Sequence, residues 1–135
     1  MTEKKVSNTT KWQKDELEKI GSKEEIKLVA SKKDGTFFNP VTIWIVQVDN
    51  ELYVRSYRGS NGSWYKHVQL NSKGRVSAGK ITKDVNFIIL NDEDKPLNDK
   101  IDQEYRSKYQ KYGKSYVEPM ISPQSRATTV KINPL

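Results

Sequence analysis

Arginine, glycine and serine residues concentrate in one short stretch of the 135-residue chain, between Arg55 and Ser63. This stretch contains two arginines, two glycines and three serines, and helical spacing begins where it ends. Free backbone N–H groups at a helix start attract anions, and a neighbouring guanidinium adds charge-assisted hydrogen bonds. The pattern therefore predicts a phosphate or cofactor site. The alternative interpretation is a plain surface turn with exposed arginines.

Two apolar strands precede this stretch and must position it. They meet at Asp49-Asn50, two residue types that tolerate positive φ, so we predict a two-residue type I′ hairpin. Counting outward from the turn gives four facing pairs: Val48 with Glu51, Val46 with Tyr53, Trp44 with Arg55, and Thr42 with Tyr57.

Side chains alternate along strands, so this hairpin has two different faces. One face is almost wholly aliphatic and is predicted to join the core: Val41, Ile43, Ile45, Leu52 and Val54. The other is predicted to receive a flat anionic ligand: Thr42, Trp44, Val46, Tyr53, Arg55 and Tyr57. Its apolar and aromatic residues exceed what a monomer usually exposes, so we also expect a homodimer.

The remaining patterns predict one antiparallel barrel with flanking helices. Residues 1–10 are polar and are predicted to form a flexible tail, and residues 11–135 a single domain. Thr10 and Gln13 have the spacing of a capping box for a first helix that ends at Gly21. A second helix should begin at Ser63, and apolar spacing predicts a third over 97–112. With about six strands, the last over 126–132, the class is mainly β with three helices.

Composition narrows the classes of function. The formal net charge is +7, which suits an anionic partner, but no stripe or motif concentrates the charge and we do not expect nucleic acid. The chain has no cysteine, which excludes disulfides and thiolate sites and suits a reducing compartment. No apolar run is long enough to cross a membrane, and no apolar signal core opens the sequence. We expect a cytoplasmic protein.

The only histidine, His67, lies in the helix predicted to begin at Ser63. With one histidine and no cysteine, a transition-metal site has no ligand set, and we predict none. His67 could act as a general acid or base, but a helix-surface position is the simpler interpretation. No catalytic triad or Walker loop is present, so no catalytic residue is assigned.

At the hairpin, turn and helix the sequence resembles a known group of proteins. It resembles a bacterial family of unknown function within the FMN-binding split-barrel superfamily, which includes pyridoxamine-phosphate oxidases and deazaflavin-dependent nitroreductases. The resemblance spans roughly Trp12 to Pro134. The stretches that carry it are Pro40–Trp44, Leu52–Ser56, Arg58-Gly59, Trp64-Tyr65, Gly74–Val76, Tyr105–Tyr109, Pro119-Met120, Ser122-Pro123 and Arg126–Thr129.

This resemblance implies a split β-barrel with the flavin outside the barrel, usually at a dimer interface. By resemblance, Trp44 or Trp64 would border the flavin rings, and Gly59 belongs to the same motif. The residues implied to contact the phosphate are Thr42, Arg55, Ser56, Arg58 and Ser63. Members of the superfamily use FMN, a deazaflavin or haem, and some have lost the cofactor. The abundance of Lys, Asn and Ile indicates an AT-rich genome, which favours FMN over a deazaflavin.

Three functions from different classes remain open at this point. The first is a flavin-dependent oxidoreductase of unknown substrate, in which the cofactor carries the chemistry. The second is a non-catalytic binding module for a phosphorylated small molecule. The third is a nucleic-acid-binding barrel that uses exposed aromatic residues and positive charge.

Overall fold

A computed structural model describes residues 11–135; the predicted tail over 1–10, including Thr10, lies outside the described residues. The strands are β1 (Glu25–Ala30), β2 (Val41–Trp44), β3 (Val46–Val48), β4 (Glu51–Val54), β5 (Lys73–Ala78), β6 (Ile81–Ile89) and β7 (Val130–Pro134). The α-helices are α1 (Lys14–Gly21), α2 (Ser63–Leu70), α3 (Lys95–Tyr109), α4 (Lys114–Val117) and α5 (Pro123–Arg126). Short 3-10 turns occupy Gly59–Asn61, Gln110–Tyr112 and Glu118–Ile121.

All seven of these strands belong to one antiparallel sheet in the order β2-β1-β5-β6-β7-β4-β3. Only Ile45 separates β2 from β3, so the two ends of the sheet are adjacent in the chain. This connection curls the sheet into a nearly closed barrel. The predicted split barrel of the mainly β class is confirmed, although the helices within 11–135 outnumber the three that were predicted.

Aliphatic side chains fill the barrel interior because each strand alternates between buried and exposed positions. The aliphatic face predicted for the hairpin, from Val41 to Val54, packs into this interior as expected. Helix α1 closes one side, and the Trp12 indole N–H donates to the carbonyl of Ile132 at 2.8 Å. Five strands contribute side chains that are fully buried: Ile26, Leu28, Leu52, Val54, Val76, Val85, Phe87, Val130 and Ile132.

Helix α3 covers a second apolar layer on the outside of the barrel. Its stripe of Ile101, Tyr105 and Tyr109 packs against Val46 and Tyr53 of the hairpin. The hairpin face predicted to receive a ligand is therefore largely occupied by this protein's own helix. Val46 and Tyr53 are both buried, so they do not belong to the exposed patch from which a homodimer was predicted.

The hairpin register is confirmed near the turn and wrong further away. Val48 faces Glu51 and Val46 faces Tyr53 as predicted. Beyond Ile45 the strand leaves β4 and pairs with β1, so neither the Trp44–Arg55 pair nor the Thr42–Tyr57 pair forms. The type I′ turn is also wrong, because Asp49 has a φ of 56° but Asn50 does not have positive φ.

Two element boundaries also differ from their predictions. Gln13, not Thr10, is the N-cap of α1, and it forms a capping box with Glu16. The helix ends at Gly21 as predicted. The last strand begins at Val130 rather than at residue 126, because Pro123 starts a helical turn that runs to Arg126.

Candidate functional site

A cleft of about 640 Å³ opens where β2 and the segment after β4 diverge. Strand β2 lies at one end of the sheet order and has β1 as its ladder partner, with Trp44 opposite Glu25. The opposite wall comes from the end of β4 and the start of α2, and the segment from Tyr112 to Met120 forms a third wall. Seven of the eight predicted site residues line the cleft: Thr42, Trp44, Arg55, Ser56, Arg58, Ser63 and Trp64.

The start of α2 lines this cleft with unused hydrogen-bond donors. Gly62 is the N-cap and supplies no side-chain cap. The first backbone amide of the helix bound by a carbonyl is that of Lys66, which donates to Gly62 at 3.2 Å. The amides of Ser63, Trp64 and Tyr65 have no acceptor among residues 11–135. Such free amides and the positive end of the helix dipole favour an anion.

The hydroxyl of Ser56 lies beside this helix start without a hydrogen-bond partner in the described chain. Ser56 is 1% exposed, and its Oγ is one of the few buried polar side-chain atoms left unpaired. A Cβ placed on Gly62 would lie 2.3 Å from this Oγ, so any other residue at this position would displace the Ser56 hydroxyl. A buried hydroxyl without a partner is unfavourable unless a ligand or water satisfies it.

Arg58 provides a free positive charge at the same wall. Its side chain is exposed, lines the cleft, and forms no ion pair with an acidic residue of 11–135. Gly59 follows with a φ of 62° and turns the chain into the 3-10 segment before α2. Gly59 is the one predicted site residue that does not line the cleft, and its role in this structure is to form that turn.

Arg55 is buried beneath the cleft and is bound entirely by the protein itself. Its Nη1 donates to Asp102 at 2.5 Å and to the carbonyl of Met120 at 3.0 Å. Its Nη2 donates to the Asn98 side chain at 2.8 Å and to the Asn98 carbonyl, and its Nε donates to Thr129 at 3.0 Å. All five N–H donors of the guanidinium are therefore satisfied internally. None is left to bind a phosphate, so Arg55 stabilises the wall of the cleft.

Aromatic rings form the wall opposite the anion-attracting helix start. The Trp44 ring stacks on Tyr109, with ring centroids 3.9 Å apart and planes at 5°. Tyr112 lies against the same tryptophan at 5.5 Å with a tilted ring. The Tyr112 hydroxyl donates to Glu24, which also pairs with Lys111. These two partners, Lys111 first, lower the pKa of Glu24.

Behind Trp44, side chains of α3 bind the backbone around Ile45, the residue between β2 and β3. The Tyr109 hydroxyl accepts from the Ile45 N–H at 3.0 Å, and the carbonyls of Glu24 and Ile45 lie 2.6 and 2.7 Å away as acceptors. The Lys108 ammonium donates to the carbonyls of Gly21 and Ile45, both at 2.7 Å. Burial lowers the pKa of Lys108 to about 8, and the nearby carboxylates of Glu104 and Glu24 offset this desolvation only in part.

The structure adds cleft residues that the sequence interpretation missed. Tyr112 was taken only as part of the helical stripe, yet it lies beyond the end of α3 and lines the cleft. Tyr116 and Met120 complete this third wall, and Tyr57 and Glu25 also contribute. The position of Gly113 directly after Tyr112 was the available signal, since a glycine at a helix end indicates that the following chain changes direction.

His67 lies away from the cleft. Its ring stacks flat on Phe38, with centroids 3.6 Å apart, and it does not appear among the cleft-lining residues. Within residues 11–135, no three histidine, cysteine or acidic side chains come together in a way that could hold a metal ion. In the same range no helix is both long and apolar enough to span a membrane.

Solved structures of the same fold come from several bacteria. Campylobacter jejuni ChuZ matches with a TM-score of 0.65 and 14% identity, covering 96% of this chain and 57% of that one. The haem storage protein HutZ from Vibrio cholerae matches with a TM-score of 0.58 and 10% identity, covering 83% and 82%. A FAD-binding protein from Mesorhizobium loti matches with a TM-score of 0.50 and 18% identity, covering 92% and 89%.

These identities are low, so the likeness concerns the fold: it is that of the FMN-binding split barrels, as the sequence resemblance implied. No curated protein sequence matches the chain. A family model described as an uncharacterized protein conserved in bacteria, DUF2255, matches residues 16–132. The chain belongs to this bacterial family, DUF2255.

Proposed function

We propose that the cleft binds FMN and that the protein is a flavin-dependent oxidoreductase. The observation that supports this most is the buried, unpartnered Ser56 hydroxyl beside the uncapped start of α2. A phosphate would give this hydroxyl and the free amides of the first helical turn an acceptor. Arg58 would neutralise much of the phosphate charge, and the exposed hydroxyls of Ser63 and Thr42 add further donors.

The aromatic wall suits a flat ring system. One face of Trp44 is held by Tyr109, and the Trp44 side chain lines the cleft. Trp64 lies on the other side of the cleft, next to the helix start that would hold the phosphate. A ring beside Trp44 would gain offset-stacking contacts and lose water from both of its faces. A deazaflavin offers the same ring and phosphate contacts, so it is the second candidate.

Bound FMN supplies hydride and single-electron transfer, and the protein contributes binding and orientation. The phosphate would be held by Arg58, Ser56 and the first turn of α2, which would therefore fix the position of the ligand along the cleft. Trp44 and Trp64 would restrict the ring and keep water from it. Redox chemistry on a flavin needs no nucleophilic side chain, which suits a cleft without a catalytic triad.

Haem is less favoured than flavin, because His67 does not line the cleft and an iron there would need a tyrosine or methionine as its ligand. HutZ is a haem storage protein of the same fold, but His67 here stacks on Phe38 outside the cleft and could not ligate an iron there. A non-catalytic module that binds a phosphorylated small molecule would use the same helix start, Ser56 and Arg58. The redox activity of bound flavin separates this alternative from an oxidoreductase.

A homodimer in the cytoplasm completes the proposal. Tyr57 and Tyr116 are each 60% exposed at the mouth of the cleft, and a second copy could cover them. Sedimentation at tens of micromolar tests this, and a monomer would oppose it. The absence of cysteine from the sequence suits a reducing compartment.

The test is a titration of the purified protein with FMN, followed by flavin fluorescence, in wild type and two arginine variants. We expect Arg58→Ala to weaken FMN binding by about 10- to 100-fold, as loss of charge-assisted hydrogen bonds would do. Arg106→Ala is the matched control, because Arg106 is exposed on α3, outside the cleft. It should leave the affinity unchanged.

Three outcomes are informative. Equal weakening by both variants would mean diffuse attraction and a wrong site. No binding of FMN or of a deazaflavin by folded wild type would overturn the proposal. Binding without reduction of the flavin by NADH or NADPH would favour the non-catalytic module.

A further inference from the structure

We infer that Tyr109 is a positioning residue. It fixes the position of Trp44, and hence of the ring-binding wall, by binding the backbone at Ile45, the residue between β2 and β3. Tyr109 touches no ligand in this account and acts through Trp44. The part that concerns flavin affinity rests on the proposed function, whereas the placement of Trp44 does not.

The Tyr109 hydroxyl lies where the next backbone pair of the β1–β2 ladder would form. The ladder between β1 and β2 ends with Glu25 opposite Trp44, so Glu24 and Ile45 would form the following pair. Instead, the hydroxyl lies between their backbone groups, accepts from the Ile45 N–H and shares its one proton between the carbonyls of Glu24 and Ile45. The hydroxyl thereby binds backbone groups of Glu24 and Ile45 that would otherwise be buried and unpaired where the β1–β2 ladder ends.

The same side chain also supports the tryptophan directly. The Tyr109 ring is fully buried and stacks on Trp44, the residue adjacent to Ile45. Backbone and ring of the Trp44–Ile45 unit are therefore both held by one side chain of α3. Lys108 adds a hydrogen bond to the Ile45 carbonyl and ties the same point to Gly21 at the end of α1.

Tyr105 provides a closely matched control one helical turn away. It lies on the same face of α3 and is as fully buried as Tyr109, but its hydroxyl has no partner in the described chain. Tyr109→Phe and Tyr105→Phe therefore remove the same atom from the same helix face. Only the first removes contacts to the strand that holds Trp44.

The ligand-free arm measures acrylamide quenching of Trp44, taken as the difference between each protein and its Trp44→Phe counterpart. We expect the Trp44 component to be quenched about twofold or more faster in Tyr109→Phe, with no change in Tyr105→Phe. Equal quenching of Trp44 in wild type and Tyr109→Phe would overturn the inference. This outcome does not depend on whether the protein binds a flavin.

The ligand arm compares FMN with inorganic phosphate on the same variants. We expect Tyr109→Phe to weaken FMN binding about tenfold and to leave phosphate binding unchanged, because the α2 start is untouched. Equal weakening of both would indicate a general loss of structure and would oppose a positioning role. If wild type binds no FMN, the proposed function fails and the quenching result alone decides the inference.

Discussion

The barrel interior and the layer beneath α3 are both buried, but different interactions stabilise them. The interior is apolar throughout, from Ile26 in β1 to Ile132 in β7. The layer beneath α3 contains a buried arginine, and the buried polar residues beside it connect the end of β4 to α3, α5 and the start of β7: Asn98, Asp102, Ser125, Thr128 and Thr129. The cleft lies beside this polar layer and not in the barrel interior. Apolar packing therefore maintains the barrel, whereas specific hydrogen bonds shape the site.

The largest difference between the two regions should appear when the buried guanidinium is removed. We expect Arg55→Ala to lower the free energy of unfolding by about 4 kcal/mol, because Asp102 would remain as a buried charge and further acceptors would lose their donors. Urea denaturation followed by circular dichroism measures this. Arg58→Ala, only three residues away and exposed, should change stability by less than about 0.5 kcal/mol. Equal effects would mean that the two arginines are not in different environments.

Truncation in the barrel interior should be somewhat less damaging. Leu52 is fully buried between β3 and β7, and Leu52→Ala should cost about 3 kcal/mol through lost burial and the remaining cavity. The same urea experiment applies. FMN affinity, measured well below the unfolding transition, should hardly change, since Leu52 does not line the cleft. A large loss of affinity would show that the interior also shapes the site.

The two tyrosines of α3 sharpen the comparison within the polar layer. Tyr109→Phe should lower stability by about 2 kcal/mol, because backbone groups of Glu24 and Ile45 lose their buried partner. Tyr105→Phe should be neutral or slightly stabilising, since it removes a buried hydroxyl that has no partner. Thermal unfolding of both variants in one buffer tests this. The reverse order of stability would contradict the hydrogen-bond assignment.

A smaller effect concerns pH. The folded-state pKa of Lys108 is lowered to about 8, whereas an unfolded lysine titrates near its ordinary value of 10.5. Above about pH 8 the unfolded chain therefore binds more protons than the native protein, so this group contributes stability that increases with pH up to about 10.5. Between pH 7.5 and 9.5 we expect a gain of about 1 kcal/mol, allowing for the partial exposure of the side chain.

Lys108→Met tests this pH dependence because it removes the titrating amine and keeps an apolar stem. Its stability should rise less than that of wild type over the same pH range, measured by urea denaturation at each pH. Lys33→Ala, on an exposed turn, is the lysine control and should retain the wild-type slope. An unchanged slope in Lys108→Met would mean that another group titrates.

Sequence periodicity predicted the barrel interior well, because the hydrophobicity of a strand residue and its place in the alternation indicate whether its side chain is buried. Alternation in the hairpin identified the buried face, and Ser63 was correctly placed at the start of a helix. The sequence could not reveal that α3 packs over Val46 and Tyr53, since that contact joins residues about fifty positions apart. It equally could not reveal that the strand leaves β4 at Ile45, because a tyrosine 64 positions later binds the bend.

The two arginines of the candidate site show the same limit of prediction from sequence. Arg55 and Arg58 look alike in the sequence, and both were assigned to the phosphate. Their environments differ because Asp102 and Asn98, supplied by α3, pair with the first and not with the second. Residue type predicted a site in this stretch, but only the long-range contacts distinguish the arginine that stabilises the wall from the one that is free for a ligand.

The comparison of FMN with riboflavin tests the central claim most directly, because the two ligands differ only in the phosphate. If the start of α2, Ser56 and Arg58 hold the phosphate, wild-type protein should bind FMN about 100-fold more tightly than riboflavin. In Arg58→Ala this ratio should fall to about tenfold or less. Equal affinities of wild type for FMN and riboflavin would contradict the account.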